Sequence, residues 1–346
     1  SDLLAFSRIS DLTVGPDGRL YVLQPLEGVV TVLAPDGSLD GRLGRKGQGP
    51  GEFLSPAALG WRGDTLWVMD LAQQRIAWFR NGDHVRTDRF MPVQRDRGDR
   101  TSNQWPMSDG SYWTLLARRF EHAAGHPDNF LPILRTTPNQ EETSLVAALR
   151  ESFPFRLVIE HSEGRSYGSP LFSDFPLLAQ DDWGRRLAIV DRPFSKGRGA
   201  PIRVTVVEAS GDTAYSREYT VDVVPLTDRQ WDTKIQEALA KADRPDRPWG
   251  RRELEAASRR PTHWATVTRA VQGADLHTWI ALAELPWADE REWVAFNEEG
   301  RPLFRVVLPR AFDIYTASGD LIWGIWKDEF GIPYVRRYRL GEPARK

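Results

Sequence analysis

The feature that most constrains this chain is a pattern repeated six times: a glycine turn running into a short apolar and aromatic stretch. The six are DGRLYVLQ (17–24), GDTLWVMD (63–70), DGSYWTLLA (109–117), WGRRLAIVD (183–191), GADLHTWIAL (273–282) and SGDLIWGIWKD (318–328). Glycine supplies the positive φ that a tight hairpin turn demands. A second stretch follows each one: 29–39, 75–85, 131–142, 203–213, 292–302 and 334–343. Most of these alternate apolar residues and then meet Asp-, Asn- or Ser-Gly, and apolar alternation ending at a turn marks a β-hairpin.

A unit of two or three such strands cannot cover its own apolar faces. Six units packed face to face about an axis can, and closing the ring leaves only short, protected edges. The expected fold is therefore all-β, a six-bladed β-propeller forming a single domain over residues 1–346. The 14 Trp, 15 Phe, 24 Pro and 28 Gly suit many short strands joined by tight turns. The last unit offers strands near Phe312–Thr316, Leu321–Lys327 and Tyr334–Leu340, after which the chain ends. Its missing outer strand is expected from Leu3-Leu4-Ala5-Phe6, so that the N-terminal strand closes the ring.

Residues 226–259 break the repeat. Thr227 followed three positions later by Gln230 reads as a capping box. Trp231, Ile235 and Leu239 then share one helical face, and Asp243–Pro248 stops the helix. A second helix is expected over Arg251–Arg259. This helical insertion is expected between blades four and five. Its apolar face either covers the propeller's own flank or docks on a partner.

GRKGQGPGEFLSPAAL (44–59) followed by GDTLWVMDLAQQRIAWF (63–79) resembles the NHL-type repeat, in particular bacterial six-bladed propeller proteins, many of them exported. The residues that carry it are the glycines around Gln48, Glu52-Phe53, Pro56, Val68-x-Asp70, Arg75-Ile76 and Phe79. WVAFNEEGRPLFRVVLP (293–309) and DLIWGIWKDEFGIPYVRRYRL (320–340) read like the last two blades of such proteins. The likeness is faint over 91–260. It implies a fold and is nearly silent on chemistry, because one fold serves many functions. Physically, Phe53 is expected to plug the space between blades and Asp70 to bond turn amides.

Several function classes lose support. The chain has no cysteine, so thiolate metal sites and disulfides are excluded. A formal net charge of -2 gives no global field for nucleic acid. No apolar run reaches the ~18 residues of a membrane span. The chain opens on Ser1-Asp2 and not Met, so any membrane tether is expected upstream of Ser1 or on a partner. Gly-x-Gly-x-Gly at 47–51 leads into a strand, whereas a phosphate loop leads into a helix. His122 and His126 lack a helical setting, and the six histidines read as solvated loop residues. Of the carboxylates Asp11, Glu52, Asp70, Asp174, Asp191, Asp275 and Asp328, most sit in turn contexts. No catalytic residue, cofactor or metal ligand is assigned.

The leading functional expectation is a non-catalytic platform for protein–protein interaction, an extrinsic subunit of an envelope or membrane assembly in the periplasm or outside the cell. The residues expected to meet the partner are Trp231, Ile235, Leu239 and Trp249 of the insertion, with Arg192, Phe194, Lys196 and Arg198 of an exposed loop. Two alternatives stand beside it. One is a calcium-dependent lactonase-, esterase- or lyase-like propeller with its site at the central channel. The other is a propeller that binds a glycan or small molecule there.

Overall fold

The computed structural model describes residues 6–90, 100–117, 130–138, 142–150, 157–195, 197–242 and 248–341. Apolar alternation becomes strands, and the strands form six antiparallel sheets of three or four, in sequence order, each a blade. The first is β1 (Asp11–Val14), β2 (Leu20–Gln24), β3 (Val29–Leu33) and β4 (Leu39–Leu43). A short parallel pair, β5 (Arg45–Lys46) and β6 (Glu52–Phe53), bridges to the second: β7 (Pro56–Arg62), β8 (Thr65–Asp70), β9 (Arg75–Arg80) and β10 (Asp83–Arg89). The third comprises β11 (Arg100–Pro106), β12 (Tyr112–Ala117), β13 (Phe130–Thr136) and β14 (Thr143–Arg150). A separate hairpin follows, β15 (Leu157–His161) with β16 (Gly164–Gly168). The next sheet is β17 (Leu177–Gln180), β18 (Arg186–Asp191), β19 (Gly199–Glu208) and β20 (Thr213–Asp222). Helices α1 (Asp228–Lys241) and α2 (Arg251–Ala257) lead to β21 (Val267–Gln272), β22 (Thr278–Leu282), β23 (Glu290–Phe296) and β24 (Pro302–Pro309). The last sheet has three strands, β25 (Phe312–Ser318), β26 (Leu321–Lys327) and β27 (Pro333–Arg339).

The protein is thus an all-β six-bladed propeller, and the repeated pairs of apolar stretches are the second and third strands of each blade. Those strands are buried on both faces between neighbouring blades. Trp67, Trp78, Trp113, Trp279 and Trp293 are almost wholly buried there. Closure at the N-terminus is visible in Phe6, which is buried against Ile325 and whose amide donates to the Pro333 carbonyl at 3.2 Å. Leu3, Leu4 and Ala5 lie outside the described residues. The helices follow the sheet β17–β20 and precede β21–β24. With the separate hairpin β15–β16 counted as a unit of the ring they fall between the fifth and sixth units, not between the fourth and fifth as expected.

The junction at 44–55 behaves as the repeat pattern implies. Phe53 is fully buried and packs 6.0 Å from Phe79. Asp70, also buried, accepts from the amides of Leu54 at 2.7 Å and Gln73 at 3.0 Å. Arg75 donates to the carbonyls of Gly49 and Glu52, each at 2.7 Å.

Antiparallel order gives the ring two chemically different ends. Turns joining first to second and third to fourth strands lie at one, the turn end. Connections joining second to third strands, and blade to blade, lie at the other, which also carries the hairpin β15–β16 and both helices; we call it the insertion end. Cross-blade bonds tie the turns together, as in Ser108 N to Gly184 O at 2.8 Å and Ala274 N to Ala317 O at 2.7 Å.

Candidate functional sites: the axial cavity and the insertion end

The six inner strands enclose an axial cavity of about 290 Å3. Every blade contributes to its wall: Asp11, Leu59, Trp105, Gln180, Arg269 and Tyr315 each come from a different one. Trp67 reaches it from a second strand by passing over Gly60, its register partner, where an added Cβ would sit 2.6 Å from the indole.

The turn between β17 and β18 departs from the simple Asp-Gly form. It reads Asp181-Asp182-Trp183-Gly184, and it crosses the axis. The Asp182 carbonyl accepts from Trp61 N at 2.6 Å, and its carboxyl accepts from the Thr316 hydroxyl at 2.7 Å. Gly184 O accepts from Ser108 N, Trp183 lies 6.2 Å from Trp61, and Arg185 donates to Ala274 O at 2.7 Å. This one turn therefore touches four other blades. Asp181, its side chain fully buried, holds the turn in shape by accepting from the Trp183, Arg185 and Arg186 amides and pairing with the Arg185 guanidinium at 2.8 Å.

Two carboxyl groups in this lumen are strongly perturbed. Burial pushes Asp11 up to about 7, against the lowering effect of hydrogen bonds from Leu59 N and Leu12 N and of the Arg269 charge. Burial likewise pushes Asp182 up to about 7, opposed by the Thr316 hydroxyl and reinforced by the negative charge of Asp11. Neither is in a salt bridge among the described residues. Arg269 instead pairs with Asp313 at 3.3 Å and stacks 4.5 Å over Tyr315. Burial raises the Tyr315 phenol as well.

The insertion end carries a small core of its own. Leu157 and Ile159 of β15 pack with Phe172, Leu226, Trp231, Ile235, Leu254 and Trp264. Phe172 stacks on Trp231 at 6.1 Å and meets Trp264 edge-on at 5.6 Å. The capping box of α1 forms as its sequence implies, with Gln230 N donating to Thr227 Oγ1 and Thr227 N to Gln230 Oε1. The second helix is shorter than expected, ending at Ala257.

The sequence-predicted partner residues divide. Trp231 and Ile235 are buried inside this core, while Leu239, Trp249 and Phe194 are partly buried against it. Arg192 is not part of a free loop. Its guanidinium donates to Phe175 O at 3.0 Å and Val267 O at 2.8 Å, and burial pulls its pKa down to about 10. It is a tie between two blades. Arg198 is exposed, and Lys196 lies outside the described residues. His263 corrects the reading of solvated histidines: it is buried, with Nδ1 2.7 Å from Trp264 O and Nε2 accepting from Ser195 N at 3.1 Å. His122 and His126 lie outside the described residues.

Sequence reasoning missed Asp182 and Arg269, and it treated Asp11 as a turn carboxylate and Trp67 as packing. The doubled aspartate of the 181–184 turn was the available signal.

No family model matches the chain, and no curated protein does. Several solved structures are similar in outline. A protein of Bacteroides fragilis described as exported is 10% identical, with 99% of this chain and 93% of that one covered at a TM-score of 0.49. A member of the DUF4221 family from Bacteroides vulgatus is 8% identical, covering 98% and 97%, at 0.48. The PQQ-bound aldose sugar dehydrogenase of Streptomyces coelicolor is 14% identical, covering 97% of each chain, at 0.43. At such identities nothing those proteins bind or do passes to this chain.

Proposed function

We propose that this chain is a non-catalytic propeller platform that docks its insertion end on another protein, as an extrinsic subunit of an envelope or membrane assembly outside the cytoplasm. The observation that carries this reading is where the exposed large apolar side chains lie. Leu26, Leu54, Leu71, Tyr167, Trp287, Phe330 and Ile332 all belong to insertion-end connections or to the hairpin there. Phe330 is 80% exposed and Trp287 55%. The turns of the opposite end carry no exposed large apolar side chain among the described residues. The remaining ones, Leu39, Val85, Leu145, Val158, Leu303 and Val307, lie along outer strands or the hairpin, with Leu39, Val85 and Leu303 close to the turns of the opposite end. Apolar side chains gathered at one end fit an interface better than scattered exposure does.

The charges beside them favour a protein over a lipid surface. Trp287 is flanked by Glu284 and Asp289, and Phe330 by Asp328 and Glu329. An anionic bilayer would repel these acids, whereas a protein interface with an apolar centre and polar rim accommodates them. The buried Trp231 and Ile235 shape this end from within and so act indirectly. The NHL-type resemblance belongs to the same reading, supported by the roles of Phe53, Asp70 and Arg75 at the blade junction. The calcium-dependent hydrolase reading has less support, since no group of three or more His, Asp or Glu is placed to hold a metal among the described residues.

The test is site-specific photo-crosslinking in intact cells of the source, with the crosslinker at Trp287, at Phe330 and, as a control, at Gly319 on the turn end. One shared protein adduct from Trp287 and Phe330, absent from Gly319, is expected. Adducts from Gly319 alone, or none, would overturn the reading.

A further inference from the structure

Independently of any docked partner, we propose that the axial cavity binds a small organic cation, whose ammonium group sits between the carboxyl groups of Asp11 and Asp182. The argument begins with geometry. The cavity is lined by all six blades and crossed by the Asp181–Arg185 turn, and Asp11 and Asp182 both line it, near enough for the charge of one to act on the other. Each already accepts one or two hydrogen bonds from the protein, Asp11 from Leu12 N and Leu59 N and Asp182 from Thr316. A carboxylate offers about four lone-pair directions, so both keep acceptor capacity for a ligand.

Two further polar groups lack a partner in the protein. The indole Nε1 of Trp67, a residue 2% exposed, has none, and neither does the Ser10 hydroxyl. Both residues line the cavity. A buried donor left without an acceptor costs free energy; the indoles of Trp61, Trp113, Trp279 and Trp293 also lack partners, but of these five tryptophans Trp67 alone lines the lumen. The lumen thus offers acceptors at Asp11 and Asp182 and donors at Trp67 and Ser10. A small ammonium compound that also bears a hydroxyl matches both sets.

The charges facing the pair are few. Asp181 pairs with Arg185, although its charge still acts on Asp182. Arg269 stacks over Tyr315, and because Asp313 is also held by the buried Arg291, part of the Arg269 charge is left to act on Asp11. With Arg291 and Asp313 offsetting each other, ionised Asp11, Asp181 and Asp182 exceed Arg185 and Arg269 by one negative charge, which a monovalent cation removes. A divalent metal fits less well, because the described residues supply no third His, Asp or Glu in ligand range. The aromatic residues Trp67, Trp105 and Tyr315 suit an organic cation. The perturbed titration of the pair agrees with this. An ammonium ligand must displace the protons that the carboxyls hold near neutral pH, so binding tightens as pH rises.

The experiment is calorimetric titration of the whole chain with ethanolamine, with ethylene glycol as its neutral counterpart and with calcium chloride, at pH 6 and pH 8. Ethanolamine stays protonated at both, so the wild-type comparison reads the carboxyls alone. Binding at pH 8 that weakens about tenfold or more at pH 6 is expected, as release of one proton requires. Ethylene glycol should not bind measurably. Asp182→Asn and Asp11→Asn, checked for native thermal melting, should each weaken ethanolamine at least tenfold at pH 8. The proposal is overturned if ethanolamine does not bind at pH 8, if glycol binds as well, if calcium binds and ethanolamine does not, or if affinity is the same at both pH values.

Discussion

Replacing Asp182 by asparagine should stabilise the ring at alkaline pH and change little in acid. Burial holds the folded carboxyl's pKa at about 7, against an ordinary value of 3.8. Between about pH 4 and pH 7 the unfolded chain releases this proton while the folded chain keeps it. The folded state therefore binds more protons, and stability falls as pH rises through that window. Above about pH 7 both states are ionised, and the full cost of the buried charge is in place. Roughly three pH units at about 1.4 kcal/mol each set a ceiling on the order of 4 kcal/mol. Polarisation around the lumen lowers this to about 1–3 kcal/mol. Asparagine has nearly the same volume, and its amide oxygen can accept the Thr316 hydroxyl that Asp182 now accepts. Urea unfolding of wild type and Asp182→Asn at pH 4 and pH 8 reads the difference. The variant should gain about 1–3 kcal/mol at pH 8 and match wild type within about 0.6 kcal/mol at pH 4. An equal difference at both pH values would refute the argument, because it would show that the carboxyl's charge is not what burial penalises.

Two further perturbations test the blade junctions. Asp70→Ala leaves the amides of Leu54, Ser55 and Gln73 without their buried acceptor; a loss of about 2–4 kcal/mol in urea unfolding is expected, and a loss under about 1 kcal/mol would show that water replaces it. Phe6→Ala removes the buried ring of the closing segment and should cost about 3 kcal/mol, lowering the melting temperature by several degrees, whereas an unchanged melting temperature would show that ring closure does not depend on it.

The second and third strands of every blade were legible because packing between blades buries both of their faces. DTLWVMD and RIAWF at 64–70 and 75–79 are nearly continuous apolar runs, and that burial leaves a plain mark in the sequence. The flanking strands leave less. β1 is the four residues Asp11–Val14, and the outer strand β10, DHVRTDR, is mostly polar because one side faces solvent. The hairpin β15–β16 escaped notice because only Leu157 and Ile159 point inward from β15. Their partners, Trp231 and Ile235, come from a helix about seventy residues on, which no local pattern reveals. Arg192 was misread for the same reason. Beside Pro193 it has the composition of a loop, and only the fold brings the carbonyls of Phe175 and Val267 to its guanidinium.

The same asymmetry bears on how the two proposed sites relate. The 181–185 turn is bonded to blades on several sides of the axis, so it cannot swing aside without breaking bonds to Trp61, Ser108 and Thr316 together. Exchange of a ligand with the lumen then favours the insertion end, the end whose connections carry Phe330 and Trp287. A partner docked over that end would slow exchange without touching Asp11 or Asp182. Linkage would follow only if the bound cation changed the free energy of docking, because a cover that binds loaded and unloaded rings equally alters rates and not affinities. The two sites are therefore separable by experiment. Substitution at Phe330 should leave ethanolamine affinity intact, and substitution at Asp182 should leave docking intact unless the cation itself is sensed by the partner.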